Sequence, residues 1–172
     1  GPESGEYNIK IGFSGNIPNV PFAGSCLESI VIPEKTTSIG QGSYSGCSYL
    51  KEVKLPSGVK TIERNAFKNC MRLEKIEIPD SVTEIGEGAF YYCISLKEVV
   101  GGKNLKKLGG EAFASCKNLE KITLPSTLTQ IGYLIFSGCE KLKTAGPETG
   151  EYNIKIGFSG NIPDGPFVGS CI

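Results

Sequence analysis

Several residue types that build catalytic and metal sites are missing or rare in this chain of 172 residues. It has no His, no Trp and one Met, and 18 Lys and Arg balance 18 Asp and Glu, so the formal net charge is zero. Without His, the chain lacks the commonest general base and metal ligand. Aspartate occurs only as Asp80 and Asp164, which disfavours calcium loops. The balanced charge lacks the basic excess of nucleic-acid-binding proteins, so we expect no nucleic-acid partner.

Long hydrophobic runs are also absent. No run of about 18 apolar residues occurs, so the sequence predicts no membrane insertion by this segment. The first 25 residues have neither the basic start nor the apolar core of a signal peptide. If the protein is exported, we expect its signal and anchor to lie outside this segment.

The spacing of the seven cysteines shows what the chain has instead. Four successive gaps between Cys47 and Cys139 are each 23 residues. The unit that starts at Cys70 reads C-x-x-L-x-x-I-x-I-P-x-x-V-x-x-I-G-x-x-A-F-x-x, and the neighbouring units place aliphatic residues at the same positions. A fixed period of this length predicts a solenoid, in which each unit is one coil and stacked coils share one core.

Each part of the unit predicts a local structure. The spacing L-x-x-I-x-I predicts a short strand that Pro ends, and V-x-x-I-G predicts a second extended segment. The A-F-x-x-C segment predicts a tight helical or 3₁₀ turn that inserts Phe and Cys into the core. The predicted core ladder consists of Cys47, Cys70, Cys93, Cys116, Cys139, Phe67, Phe90, Phe113 and Phe136.

The whole pattern, repeated over residues 26–145, resembles the BspA-like leucine-rich repeats of secreted and cell-surface proteins. The resemblance implies a mainly β leucine-rich-repeat solenoid. This would be a right-handed superhelix with short parallel strands and short 3₁₀ or helical turns. It also implies an extracellular or cell-surface location.

A second, longer period joins the two ends of the chain. Residues 146–171 repeat residues 1–26 with four differences. We expect a single solenoid over residues 1–172, with regular coils at 26–145 and the near-identical segments as copies of one long coil. The chain is then part of a longer array, the interpretation we favour, or two matching modules cap one domain.

The cysteines are open to three interpretations. Zinc binding is disfavoured because ligand sets need short paired spacings. Disulfides are possible in an exported protein, but one Cys per coil gives poor geometry between neighbours. We expect buried free thiols that act as small apolar side chains.

Catalytic motifs are also lacking. Gly101-Gly102 and Gly109-Gly110 do not fit the phosphate-loop patterns, so we interpret them as turn glycines. The glutamates recur at exposed repeat positions, unlike a two-carboxylate glycosidase site. The sequence predicts no enzyme, no cofactor and no metal site.

Two rows of charge alternate in sign from coil to coil. The alternation within each row predicts attraction between stacked coils, and the opposite phase of the two rows places opposite charges side by side within a coil. We interpret them as a device for register and solubility, with ligand recognition as the alternative. The rows read Glu28, Lys51, Glu74, Lys97, Glu120, Lys143 and Ser29, Glu52, Lys75, Glu98, Lys121, Thr144.

Candidate binding residues come from two sets. The middle, outward strand position varies between coils, as recognition surfaces of repeat proteins do, and includes Lys54, Glu77 and Thr123. Tyrosines at turn positions form the second set, because Tyr is enriched in interfaces. These are Tyr49, Tyr91, Tyr92 and Tyr133.

The expected function is a non-catalytic interaction or adhesion module of a bacterial surface protein, as the resemblance implies. Its partner would be a host protein, a matrix protein or another microbe's surface. The alternatives are a structural spacer without a ligand and a carbohydrate-associated module in which exposed Tyr stacks on sugars.

Overall fold

The computed structural model describes residues 16–145, in which short parallel strands alternate with turns and no helix occurs. No segment of this range is therefore a helix able to cross a membrane. The strands are β1 (Ser29–Val31), β2 (Ser38–Ile39), β3 (Glu52–Lys54), β4 (Thr61–Ile62), β5 (Lys75–Ile78), β6 (Glu84–Ile85), β7 (Glu98–Gly101), β8 (Lys107–Leu108), β9 (Lys121–Ile122), β10 (Gln130–Ile131) and β11 (Thr144–Ala145).

Each coil contributes one strand to each of two faces. The even-numbered strands form one continuous parallel sheet in the order β10-β8-β6-β4-β2. The odd-numbered strands form the pair β1-β3 and the sheet β11-β9-β7-β5. Each ladder pairs residues that are 23 apart, as Ile62 pairs with Ile85 and Lys75 with Glu98. The predicted mainly β solenoid is confirmed.

The strand β5 shows how the sequence specifies one coil. Its residues alternate between exposed and buried, and Ile76 and Ile78 point into the core. Pro79 follows directly and ends the strand. Gly86, after β6, allows the neighbouring coil to approach, because a Cβ there would lie 2.6 Å from the Arg64 backbone nitrogen.

The third side of each coil is the corner before the cysteine, and it is a series of turns. The Lys68 N–H donates to Asn65 O in its own coil at 3.1 Å, a 3₁₀-type bond. The N–H groups of Phe67 and Asn69 donate instead to the next coil, to Ala89 O and Tyr91 O, both at 2.8 Å. Because these N–H groups donate alternately within their own coil and to the next coil, the backbone donors of the corner are satisfied. The corner is also joined to its neighbour, and no helix forms.

Two left-handed backbone positions in every coil also prevent a helix from continuing at this corner. Such positions suit Gly and Asn and strain larger residues. The first row has φ between 50° and 61° and the second between 59° and 75°. The rows are Val20, Gly42, Asn65, Gly88, Glu111, Leu134 and Gly24, Gly46, Asn69, Tyr92, Ser115, Gly138.

A column of aromatic rings runs through the core. Its ring centroids are 5.2 to 6.1 Å apart along the stack. The structure places all four predicted phenylalanines in it, and Tyr44 and Phe22, which were not predicted, extend it. The column is Phe22, Tyr44, Phe67, Phe90, Phe113 and Phe136.

A column of thiols lies beside the rings. The five predicted cysteines from Cys47 to Cys139 are buried, and each thiol donates to the backbone oxygen of the aromatic residue 25 or 26 positions earlier, at 3.1 to 3.3 Å. Phe67 O thus accepts from the Cys93 thiol and from the Cys70 N–H, both at 3.2 Å. Cysteine is therefore a weak donor as well as a small apolar side chain.

Cys26 does not belong to this column, contrary to the expectation that all the cysteines are buried. Its side chain is exposed. Ser25 takes the core position instead, with its N–H bonded to Phe22 O at 3.0 Å and its hydroxyl 3.2 Å from Cys47 Sγ. The gap of 21 residues to Cys47 moves Cys26 one place outward. Cys171 lies outside the described residues.

The hydroxyl of Tyr44 gives a first test of the core. It is buried among the described residues without a hydrogen-bond partner, and burial raises the pKa of Tyr44. Because an unsatisfied buried polar group costs about 1–3 kcal/mol, Tyr44→Phe should raise the free energy of unfolding by about that amount, as measured by urea denaturation. Phe67→Tyr, in the next coil, should lower it. A destabilising Tyr44→Phe would contradict the unsatisfied hydroxyl.

The thiol column gives a second test, by alkylation and mass measurement. Burial raises the pKa of Cys139 to about 12 and those of Cys93 and Cys116 well above the ordinary value. In the folded protein, Cys26 should be labelled rapidly and the five buried thiols should resist labelling. After unfolding without reductant, all seven cysteines should react. Fewer than seven labels would show a disulfide.

Candidate functional site

Six ion pairs join neighbouring coils among the described residues, and all of them link positions that are 23 apart. Their N–O distances run from 2.8 to 3.3 Å. All are exposed, so each contributes little by itself. The pairs are Glu28–Lys51, Arg64–Glu87, Lys75–Glu98, Glu74–Lys97, Glu84–Lys107 and Lys117–Glu140.

Three of these pairs belong to the two predicted charge rows. Lys51 donates to Glu28 at 2.9 Å and Lys97 to Glu74 at 2.8 Å, and these hydrogen bonds lower the pKa of each carboxyl. The second row supplies Lys75–Glu98 at 3.3 Å. A lowered carboxyl pKa stabilises the fold above the ordinary pKa, and this stabilisation is lost as the pH falls through the lowered value. The rows therefore act between coils, as the structural interpretation expects.

The strand face is interrupted at one step. Strands β3 and β5 are not hydrogen-bonded into one sheet, although the sheet on the other face is continuous there. The N–H groups of Lys51, Lys97 and Glu120 each donate to the coil before, whereas Glu74 makes no such bond. No ion pair joins β3 to β5 within the described residues.

Two predicted site residues lie at this interruption. Lys54 and Glu77 are exposed and line a shallow cleft, together with Pro56 and Pro79. Thr123, half-buried, lies two coils beyond Glu77 in the same outward row. The three predicted strand residues therefore do not form one site.

The four predicted tyrosines lie on two different corners. Tyr133 is exposed, and its ring lies over Gly110, where a Cβ would be 2.8 Å from the ring. It belongs to the corner that follows the even-numbered strands. Tyr49 follows Cys47, and Tyr91 and Tyr92 precede Cys93 two coils farther along, with their ring centroids 6.3 Å apart.

Two basic side chains join the cysteine-flanking tyrosines. The Arg72 guanidinium lies over the Tyr49 ring, 4.7 Å from its centroid, and the Lys68 ammonium lies over the Tyr91 ring at 5.0 Å. Met71 is exposed between these two basic residues in the sequence. We name this surface the tyrosine edge and define it as Tyr49, Lys68, Met71, Arg72, Tyr91 and Tyr92.

Lys68, Met71 and Arg72 are not among the site residues that the sequence predicted. The available signal was the repeat itself, because Tyr49 and Arg72 are 23 apart and so are Lys68 and Tyr91. The 23-residue period that pairs opposite charges between coils therefore also pairs each base with its ring.

Tyr92 occupies a strained backbone conformation. Its φ is 60°, in the left-handed row where other coils have Gly, Asn or Ser. A bulky residue there costs of order 1–3 kcal/mol. Its side chain is 39% exposed, so burial in the core does not repay that cost.

The charge rows give a third test. Lys75→Glu replaces an attraction to Glu98 by repulsion, so it should lower the free energy of unfolding by up to about 1 kcal/mol at low salt. The difference should shrink near 1 M salt, where the Debye length is about 3 Å. Urea denaturation at the two salt concentrations measures both effects. An unchanged stability at low salt would contradict the role of the rows.

Comparison with known proteins identifies the repeat. The model of the BspA type leucine rich repeat region matches residues 15–143 in six copies. No curated protein sequence matches the chain.

Solved bacterial structures resemble the chain. The leucine rich repeat protein of T. pallidum aligns with 28% identity and a TM-score of 0.67, over 74% of this chain and 71% of that protein. A leucine-rich repeat protein from Eubacterium ventriosum aligns with 27% identity and a TM-score of 0.55, over 87% and 45%. The pneumococcal vaccine antigen PcpA aligns with 25% identity and a TM-score of 0.54, over 77% and 42%.

The chain therefore spans less than half the length of the last two proteins. The family model covers the repeats that the cysteine spacing defined, and the structure shows the expected solenoid. The chain belongs to the BspA-type leucine-rich repeat family.

Proposed function

We propose that the chain is a non-catalytic protein-interaction module of a bacterial cell-surface or secreted protein, and that the tyrosine edge is its binding surface. One observation carries the proposal: Tyr49, Met71 and Tyr92 are large, exposed side chains grouped on three adjacent coils. Aromatic, Met and Arg side chains are the residues enriched in protein interfaces. The resemblance to a vaccine antigen supports a surface location.

The other outward surfaces fit binding less well. The predicted charge rows contribute three ion pairs between coils, so part of their charge is already neutralised. None of the six ion pairs involves Lys68 or Arg72. The tyrosine edge therefore combines apolar area with charge that is still available to a partner.

Two features support the non-catalytic assignment. Burial raises the pKa of the core thiols, so they stay protonated and are poor nucleophiles at neutral pH. Within residues 16–145, no group of three or more His, Cys, Asp or Glu side chains is arranged so that it could hold a metal ion.

The near-identity of residues 1–26 and 146–171 favours a spacer as the second candidate function. An array of nearly identical units suits an extended stalk, and ion pairs confined to contacts between coils serve such a stalk equally well. In that case the tyrosine edge has no ligand. The segments themselves lie largely outside the described residues.

The fourth test separates these functions. The protein is screened against a displayed random peptide library, a panel of extracellular matrix proteins and a glycan array. We expect protein or peptide ligands whose binding protects the Cys47–Cys93 corners from hydrogen exchange. Tyr133→Ala, which changes a tyrosine on the other corner, should bind these ligands as the unchanged protein does.

Two results would overturn the proposal. Silence on all three panels, with rod-like scattering from a tandem array, would favour the spacer. Ligands found only on the glycan array would favour the carbohydrate-associated module.

A further inference from the structure

We infer that the tyrosine edge binds an acidic polypeptide segment, with Arg72 and Lys68 as the groups that receive its carboxylates and with Met71 and Tyr92 as apolar contacts. This inference rests on the proposed function and specifies its partner. It is carried by the geometry of the two bases.

Arg72 is held in place without being neutralised. Its guanidinium lies over the Tyr49 ring at 4.7 Å, and its side chain is exposed. The contact with the ring supplies no carboxylate, so the guanidinium keeps its charge and can bind a carboxylate of a partner in a bidentate manner. The nearby Glu28, whose pKa Arg72 helps to lower, accepts its hydrogen bond from Lys51 at 2.9 Å.

Lys68 mirrors this arrangement on the opposite side of the same loop. The loop from Lys68 to Arg72 lies in the middle coil, and its two ends reach Tyr91 of the following coil and Tyr49 of the preceding coil. Both contacts reduce the freedom of long side chains before any ligand arrives. Binding then costs less conformational entropy, which favours affinity.

Apolar contacts accompany these two positive charges. Met71 is 36% exposed within the loop, and Tyr92 is 39% exposed on the next coil. Farther along the stack, the Lys117 ammonium is already paired with Glu140 at 3.0 Å. The surface therefore offers two available positive charges next to apolar side chains, which complements a segment that mixes Asp or Glu with hydrophobic residues.

An acidic polypeptide fits better than an anionic glycan. Sugar rings bind tyrosine by stacking on an open ring face, but the bases already cover one face of Tyr49 and one of Tyr91. Met71 and the methylene groups of the bases offer contacts that a peptide's aliphatic side chains match. A glycan that carries carboxylates is therefore an alternative that the experiment must separate.

The fifth test uses short fluorescent peptides in which Glu alternates with Leu or Phe, together with versions that carry Gln or Lys in place of Glu. Fluorescence anisotropy at low salt should show the Glu peptide binding roughly tenfold more tightly than the Gln version, because a bidentate hydrogen bond between a guanidinium and a carboxylate is stronger than one to a neutral amide. Arg72→Ala should remove most of that difference. Arg72→Lys should restore only part of it, because Lys lacks the bidentate fork.

A matched control separates the site from general charge effects. Lys141 is exposed and stands at the same position of its coil as Arg72, two residues after the cysteine. Lys141→Ala removes the same charge from the chain and should leave binding of the Glu peptide within about twofold. An equal loss with both variants would overturn the inference.

Tyr92→Asn gives a readout that a purely structural role does not predict. Asn stands at the equivalent position 69 with φ 60° and tolerates the left-handed conformation better than Tyr. The variant should therefore unfold at a higher urea concentration and yet bind the Glu peptide less tightly. Higher stability with unchanged binding would remove Tyr92 from the site.

The outcomes distinguish this inference from the proposed function. Peptide ligands that are neutral or basic and insensitive to Arg72→Ala would overturn the carboxylate inference and leave the interaction module in place. Tighter binding of a uronic-acid oligosaccharide than of the Glu peptide, with the same dependence on Arg72, would overturn the polypeptide assignment. No ligand of any class would overturn both.

Discussion

The backbone oxygen of each buried aromatic residue links its coil to the next by hydrogen bonds. It accepts the cysteine N–H of its own coil and the cysteine thiol of the following coil, as Phe90 O does from Cys93 and Cys116 at 3.2 Å. This double acceptance needs a small donor at a fixed place in every coil. Cysteine meets that need and still packs as an apolar side chain, so one atom closes the corner and fixes the step between coils.

Because the step between coils is constant, it also determines which side chains meet on the outer surface. All six ion pairs and both pairs of a base with a tyrosine ring join positions 23 apart. In an ion pair the two charges neutralise each other, whereas a basic side chain that lies over an aromatic ring keeps its net charge. The same geometry therefore yields a neutralised surface where carboxylates face lysines and a receptive one where tyrosines face Lys68 and Arg72.

The sequence predicts the fold well because every coil repeats the same pattern of residues. The aliphatic spacing located the strands, and the Phe and Cys positions located the core. The prediction failed at Cys26 because this corner is one residue shorter than the others, with Phe22 stacked on Tyr44, 22 positions later, so that Cys26 lies one residue beyond the core position. Tyr44 was missed because Ser-Tyr stands where other coils have Ala-Phe, and the left-handed strain at Tyr92 follows from the corner's backbone path, which residue types alone do not give. The interruption between β3 and β5 has no sequence signal that we recognise.

The alternation of charge has a consequence for how such a chain changes length. Recombination between repeats removes or adds whole coils, and the core accepts this because every coil has the same step. Loss of the single coil that contains Lys51 would place Glu28 beside Glu74, and like charges would then meet along the row. Loss of two adjacent coils would bring Glu28 beside Lys97 and keep the pairing. The unit that such a gene can copy or delete without electrostatic cost is therefore a pair of coils, although the backbone repeats once in each.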